Sequence, residues 1–205
     1  MPIGDSITEG GGTVWSYRRD FEGALLAAGC SYDLIGSRFG PTSGPAPSLI
    51  DRDHEGYWGR RAGEVLSELQ EAVPGSAPDW ALIHLGTNDV LQGASLASAQ
   101  ASIGLIIDLL RTENPSIGIL LAQIIPNHPS SEADVVALNG LIASLATAKH
   151  QSGVSPVILV DQYSGYSTFV HNYDEIHPNL IGESIMADRW FQALLPEIQG
   201  VCTPP

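Results

Sequence analysis

The stretch Trp80-Ala81-Leu82-Ile83-His84-Leu85-Gly86-Thr87-Asn88-Asp89 reads as a short buried strand that runs straight into a turn. Its first six residues are mostly apolar or bulky, and Gly86 followed by Asn88-Asp89 ends the run. The period then changes: Leu96, Ala99, Ile103, Ile106 and Leu110 share one face of a helix. A second apolar run follows at 117–123. Strand, helix and strand in this order call for parallel pairing through a crossover.

The alternation continues in both directions. Runs at 1–4, 32–36 and 156–160 read as further strands, the first of them truncated. Between them Phe21, Ala24, Leu25 and Ala28 share a helical face, as do Val65, Leu66, Leu69 and Val73, and Leu138, Ile142 and Leu145. A last helix, starting near Pro178-Asn179, carries Ile181, Ile185, Trp190 and Leu194. The fold expected is α/β, a three-layer α/β/α sandwich around a five-stranded parallel sheet. A chain of 205 residues is long enough for one such core and short for two, so residues 1–200 are expected to form a single domain. The Pro/Gly-rich stretch 37–58 shows no period, and loops of that length are more often functional than idle.

Composition narrows the partners. With 43% hydrophobic and 16% charged residues the chain is globular. Its net charge of −14, with Lys149 the single lysine, repels phosphate backbones and argues against nucleic acid. No apolar run reaches the length of a membrane span, and no cationic stretch before an apolar one marks a signal peptide. Cys30 and Cys202 lack the spacing of a zinc site or redox pair; one disulfide and two free thiols both remain open. The tail Gly200-Val201-Cys202-Thr203-Pro204-Pro205 looks like the start of a Pro/Thr linker, set at 201–205, as in a module of a secreted multidomain enzyme.

Four short motifs carry chemistry. Gly4-Asp5-Ser6 follows the first strand, where small neighbours let a serine hydroxyl stand exposed near a helix start; a turn or N-cap serine would look the same. Asp174-Glu175-Ile176-His177-Pro178 spaces a carboxylate so that it can reach the His177 ring within one turn, fix its tautomer and stabilise the imidazolium. Asn88, at the carboxyl end of its strand, can donate to a developing oxyanion or simply make a turn. In His54-Glu55-Gly56-Tyr57-Trp58-Gly59 either glycine can offer a backbone N–H to that oxyanion or serve as a plain turn residue. Tyr57 and Trp58 either line a small acyl pocket or pack under the loop. The histidines show no HxH or HExxH spacing, so no catalytic metal is expected. His84 reads as a core histidine with its hydrogen bonds satisfied. Asp51, Asp53 and Glu55 form a weak Ca²⁺ candidate, for which a solvated acidic loop is the ordinary alternative.

Taken together, Ser6, a glycine near 59, Asn88 and His177 stand in the order seen in the SGNH (GDSL-type) hydrolase family, with GDS, GTND and DxxHP intact. The chain resembles that family from end to end. The resemblance implies a flavodoxin-like SGNH fold, a Ser6–His177–Asp174 triad, and an oxyanion hole built from the Ser6 N–H, a glycine N–H and the Asn88 amide. Gly-Tyr-Trp-Gly matches the family's Gly-x-x-Gly with its second glycine as donor, which selects Gly59 and leaves Gly56 as the fallback. The stretch from Met1 to Gly10, Asp53-His54-Glu55-Gly56, and Ala122-Gln123-Ile124-Ile125-Pro126 further resemble carbohydrate esterase family 3. That resemblance implies a secreted acetyl xylan esterase with acetylated polysaccharide as partner and a carbohydrate-binding module beyond the linker; a monomer that needs no cofactor for catalysis is expected alongside it. The alternatives are a lysophospholipase or thioesterase on the same scaffold, against which the bulky Tyr57-Trp58 pair weighs, and a non-catalytic sugar-binding module, which would have no use for the triad.

Overall fold

The computed structural model describes residues 1–11, 16–40 and 51–202. They form a six-stranded sheet in the order β2 (Arg38–Phe39), β3 (Asp53–Gly56), β1 (Pro2–Gly4), β4 (Trp80–His84), β5 (Gly118–Ala122), β6 (Val157–Val160). Strands β3, β1, β4, β5 and β6 pair in parallel, as expected, and β2 adds a short antiparallel edge. The side-chain period of two splits the core. Ile83, Ile119 and Leu121 point to one face, where α3 (Ala62–Ala72), α5 (Leu96–Glu113) and α6 (Glu132–Lys149) bury Leu69, Ile106 and Ile142. Leu82, Leu120 and Ala122 point to the other, against Phe21 and Leu25 of α2 (Arg18–Ala27) and Met186 and Trp190 of α8 (Leu180–Ile198). That alternation produces the three layers.

One strand assignment is corrected. Residues 32–36 enter no ladder, and Asp53–Gly56, inside the stretch read as loop, takes the place beside β1. Its sequence hides it because its buried side chains are polar: His54 and Glu55 are 1% and 0% exposed. Hydrogen bonds make that burial tolerable. Glu55 accepts from the Ser37 N–H, the Ser37 hydroxyl and the Tyr57 hydroxyl, and His54 Nδ1 accepts from the Gly56 N–H. The 32–36 segment instead runs alongside, with the Leu34 N–H donated to Asp51.

Cys30 and Cys202 are bonded, which closes the alternative of free thiols and ties the segment after α8 to the end of α2. A link across 172 residues stabilises by about 5 kcal/mol in the loop-entropy picture. Residues 203–205 of the expected linker and 41–50 of the long loop lie outside the described residues. No helix of the described residues is long and apolar enough to cross a membrane.

Burial raises three of the buried carboxyls well above their ordinary values: Asp5 to about 6, Glu22 to about 7 and Glu183 to about 8. Each keeps, in the folded chain, a proton that the unfolded chain has already lost. Their contribution to stability is therefore greatest in acid and is lost as pH rises from about 4 to about 8. Burial acts the other way on bases, lowering His54 to about 3, His84 to about 4 and the N-terminal ammonium to about 5, so these groups add stability over the same interval. The two sets oppose each other, and the melting temperature is expected to change little from pH 5 to pH 8; a steep fall or climb over that range would contradict these assignments.

Candidate active site

The chemistry-bearing residues gather at the carboxyl edge of the parallel strands, where sites in open α/β sheets form. Strand β1 ends at Gly4, whose Cα lies so close to Thr8 and to the His84 carbonyl that an added Cβ would come within 2.1 and 2.8 Å of them. Only glycine fits there, and the chain can then turn directly into α1 (Ser6–Glu9). Asp5 caps this short helix by accepting the Ile7 N–H at 3.0 Å, leaving Ser6 as its first residue. The Ser6 backbone N–H is thus one of the free donors of a helix start.

The base arrives from the other end of the chain. His177 and Asp174 lie between α7 (Thr168–His171) and α8, the latter capped by Asn179, which accepts the Ile181 and Gly182 N–H groups. Pro178 therefore precedes the cap rather than opening the helix. The Ser6 Oγ lies 2.9 Å from His177 Nε2, and His177 Nδ1 lies 2.8 Å from Asp174 Oδ2. The carboxylate has no proton to give, so Nδ1–H donates to it and Nε2 is left with a lone pair facing Ser6. The other oxygen of Asp174 accepts the backbone N–H groups of Ile176 and His177 at 2.7 and 2.6 Å. Partial burial pushes the Asp174 carboxyl up, but these hydrogen bonds from His177 and Ile176 outweigh it and hold it below the ordinary carboxylate value.

The oxyanion candidates sit on two facing segments. Asn88 is the second residue of α4 (Thr87–Leu91), which begins just past β4, and one N–H of its amide donates to the Arg60 carbonyl at 3.1 Å. The amide has a second N–H to offer. Gln92 donates to the Gly59 carbonyl at 3.1 Å and the Ala62 N–H donates to Asp89 at 2.9 Å, so the 59–62 segment is stitched to α4. Gly59 adopts φ +73°, a left-handed conformation that favours glycine, and its N–H bonds to none of the described residues. The Gly56 N–H is spent on His54.

The structure separates Tyr57 from Trp58. Tyr57 is 7% exposed within the core and its hydroxyl donates to Glu55, so it packs under the loop rather than lining a pocket. Trp58 is 53% exposed, and its ring lies nearly parallel to the His177 imidazole with centroids 5.0 Å apart. An open cleft beside Ser6 and His177 is lined by Trp58, Tyr173, Gly10 and Gly11. Tyr173, also stacked on His177, and Glu9, whose carboxylate accepts the Trp58 N–H at 2.6 Å and pairs with Arg38, were not picked out from sequence. Glu9 stands inside Gly-Asp-Ser-Ile-Thr-Glu-Gly, which was the signal available.

His84 is fully buried, which pushes its pKa down to about 4; its Nε2 accepts from the Ile125 N–H, but its Nδ1 has no hydrogen-bond partner among the described residues, so only half of its hydrogen bonding is satisfied there. Asp51 accepts the N–H groups of Leu34 and Asp53, and no cluster of three His, Cys, Asp or Glu side chains suited to a metal occurs among the described residues.

A serine hydroxyl, an imidazole and a carboxylate in this relay can make a nucleophile and protonate a leaving oxygen, the equipment of a serine hydrolase. The family model described as GDSL-like lipase/acylhydrolase matches residues 3–185, and the chain belongs to that family. No curated protein matches it. Among solved structures it is similar to a carbohydrate esterase family 3 protein from Talaromyces cellulolyticus, at 27% identity over 98% of both chains and a TM-score of 0.86. It is similar to an acetyl esterase mutant solved with acetate, at 28% identity over 98% of both chains and a TM-score of 0.84. A Clostridium thermocellum family 3 carbohydrate esterase shares 27% identity over 99% of this chain and 98% of its own, with a TM-score of 0.82. The protein is accordingly a carboxylic ester hydrolase of the SGNH type.

Proposed function

We propose that the protein removes acetyl groups from acetylated xylan or a related plant polysaccharide, with Ser6 as nucleophile. The observation that carries this reading is the Ser6–His177–Asp174 relay, 2.9 and 2.8 Å per step, in a chain similar to family 3 carbohydrate esterases over nearly its whole length. Ser6 Oγ attacks the acetyl carbonyl while His177 Nε2 takes its proton. The oxyanion is held by the N–H groups of Ser6 and Gly59 and by the free N–H of Asn88. Collapse of the intermediate breaks the bond to the sugar oxygen, which receives the proton from His177 and leaves an acetyl group on Ser6. A water molecule, deprotonated by His177, then releases acetate and restores the serine. The reaction calls for no cofactor, and one copy of the chain holds every group it uses. The Cys30–Cys202 disulfide supports work outside the cell, since such bonds persist in oxidising surroundings.

The direct test is acetate release from acetylated xylan, with kcat/KM measured across aryl esters of increasing acyl length. Acetyl is expected to be the best substrate, because the ring of Trp58 crowds the cleft beside His177. A rise in kcat/KM beyond acetyl would overturn the reading in favour of a lipid or thioester substrate.

Replacing Asn88 with alanine is expected to lower kcat by about 10²–10³-fold, with KM little changed, because its donor counts only once charge develops on the oxygen. Equal losses from Asn88→Ala in binding and turnover would argue that Asn88 merely holds the Arg60 turn.

A further inference from the structure

We propose that Glu183 reads the alcohol half of the ester: its carboxyl hydrogen-bonds a hydroxyl of the sugar that leaves. This rests on the deacetylase reading above. The leaving oxygen must take its proton from His177, so the alcohol has to lie on the His177 side of Ser6. The cleft lined by Ser6, His177, Trp58 and Tyr173 is that side; Gly59 and Asn88, which face the carbonyl oxygen in this reading, do not line it. Among the described residues Glu183 supplies the one carboxyl in its wall.

No described residue accounts for that carboxyl. Glu183, in the first turn of α8, is 5% exposed, and its Oε2 is fully buried without a hydrogen-bond partner among the described residues. An acid at a helix start is ordinary when it is solvated, because it complements the helix dipole. Burying one beside a cleft without a partner sacrifices stability, which is the mark of a group kept for a ligand. Burial pushes Glu183 up to about 8, against the pull of Arg19 and Arg18, so at neutral pH it is largely a neutral acid. In that form it donates one hydrogen bond and accepts another, as a sugar hydroxyl does. Gly10 and Gly11 add no side chains to the lining, and Gly11 packs against the Trp58 ring, where an added Cβ would come within 2.5 Å of it.

The experiment compares wild type, Glu183→Gln and Glu183→Met on a partially acetylated xylo-oligosaccharide and on 4-nitrophenyl acetate, whose alcohol carries no hydroxyl to read. Glu183→Met is expected to raise KM for the sugar ester about tenfold, with kcat held, and to lower the sugar-to-aryl ratio of kcat/KM by the same factor. Glu183→Gln, which keeps a donor and an acceptor, should recover most of that ratio. Melting curves establish that both variants fold, and loss of the orphaned acid should leave them no less stable than wild type. An unchanged ratio in Glu183→Met overturns the proposal, as do parallel losses of kcat on both esters, which would mean that Glu183 only positions His177. If wild type cleaves the aryl acetate but not the sugar ester, the deacetylase reading falls before any variant is compared, and this proposal falls with it.

Discussion

Replacing Ser6 with alanine is expected to cut kcat for ester hydrolysis by about 10⁶-fold, down to the residue of rate that binding and oxyanion donors supply by themselves. The size of the loss follows from how the three groups share one task. Ser6 Oγ is a weak nucleophile until Nε2 of His177, 2.9 Å away, takes its proton as the bond to carbon forms. Without the hydroxyl the imidazole has nothing to activate, and without the imidazole the hydroxyl stays protonated. His177→Ala should therefore cost about as much as Ser6→Ala, and the double variant should lose little more than either single change. Acetate release under saturating substrate measures this. A Ser6→Ala enzyme within tenfold of wild type would remove Ser6 from the mechanism.

Asp174→Asn is expected to lower kcat by about 10⁴-fold while preserving the fold. The hydrogen bonds around the carboxylate dictate how an asparagine would sit. One oxygen of Asp174 accepts two backbone N–H groups, from Ile176 and His177, and only the asparagine carbonyl can take that place. The amide nitrogen is then left facing His177 Nδ1, where it can only donate. That drives the ring proton to Nε2, which turns a donor toward Ser6 and can no longer accept its proton. The error lies in the tautomer rather than the geometry, so KM should change far less than kcat. An Asp174→Asn variant that keeps wild-type kcat would show that the carboxylate does not orient the base.

The layers were legible because apolar period decides them. The runs at 80–85 and 117–123 and the helical faces carrying Ile103, Leu138 and Trp190 fall where the structure places them. Period says nothing, however, about a strand whose buried side chains are polar. Asp53–Gly56 owes its place to partners at Ser37, Tyr57 and Gly56, distant or invisible to any local count. The 32–36 run carries Leu34 and Ile35 but hands a backbone N–H to Asp51 instead of to a neighbouring strand. At the site, Ser6, Asn88, Asp174 and His177 could be picked out because each sits in a short motif whose chemistry is distinctive. Glu9 could not, since its work is to hold the Trp58 N–H 49 residues on. Nor could sequence decide between the glycines; the spent N–H of Gly56 and the left-handed turn at Gly59 are facts of packing.

Strand β1 lies between β3 and β4, and Ser6, two residues past its end, meets a histidine 171 positions away. Contacts of such long sequence separation close late and slowly, because most of the chain must be ordered first. Hydrolysis therefore reports on the whole molecule: a refolding chain gains activity only once the segment carrying His177 has met the one carrying Ser6. A partly folded chain with Ser6 in place has no base, and one with His177 in place has no nucleophile. The regain of activity, followed against the regain of helical signal, reads out the final step of assembly without any added label.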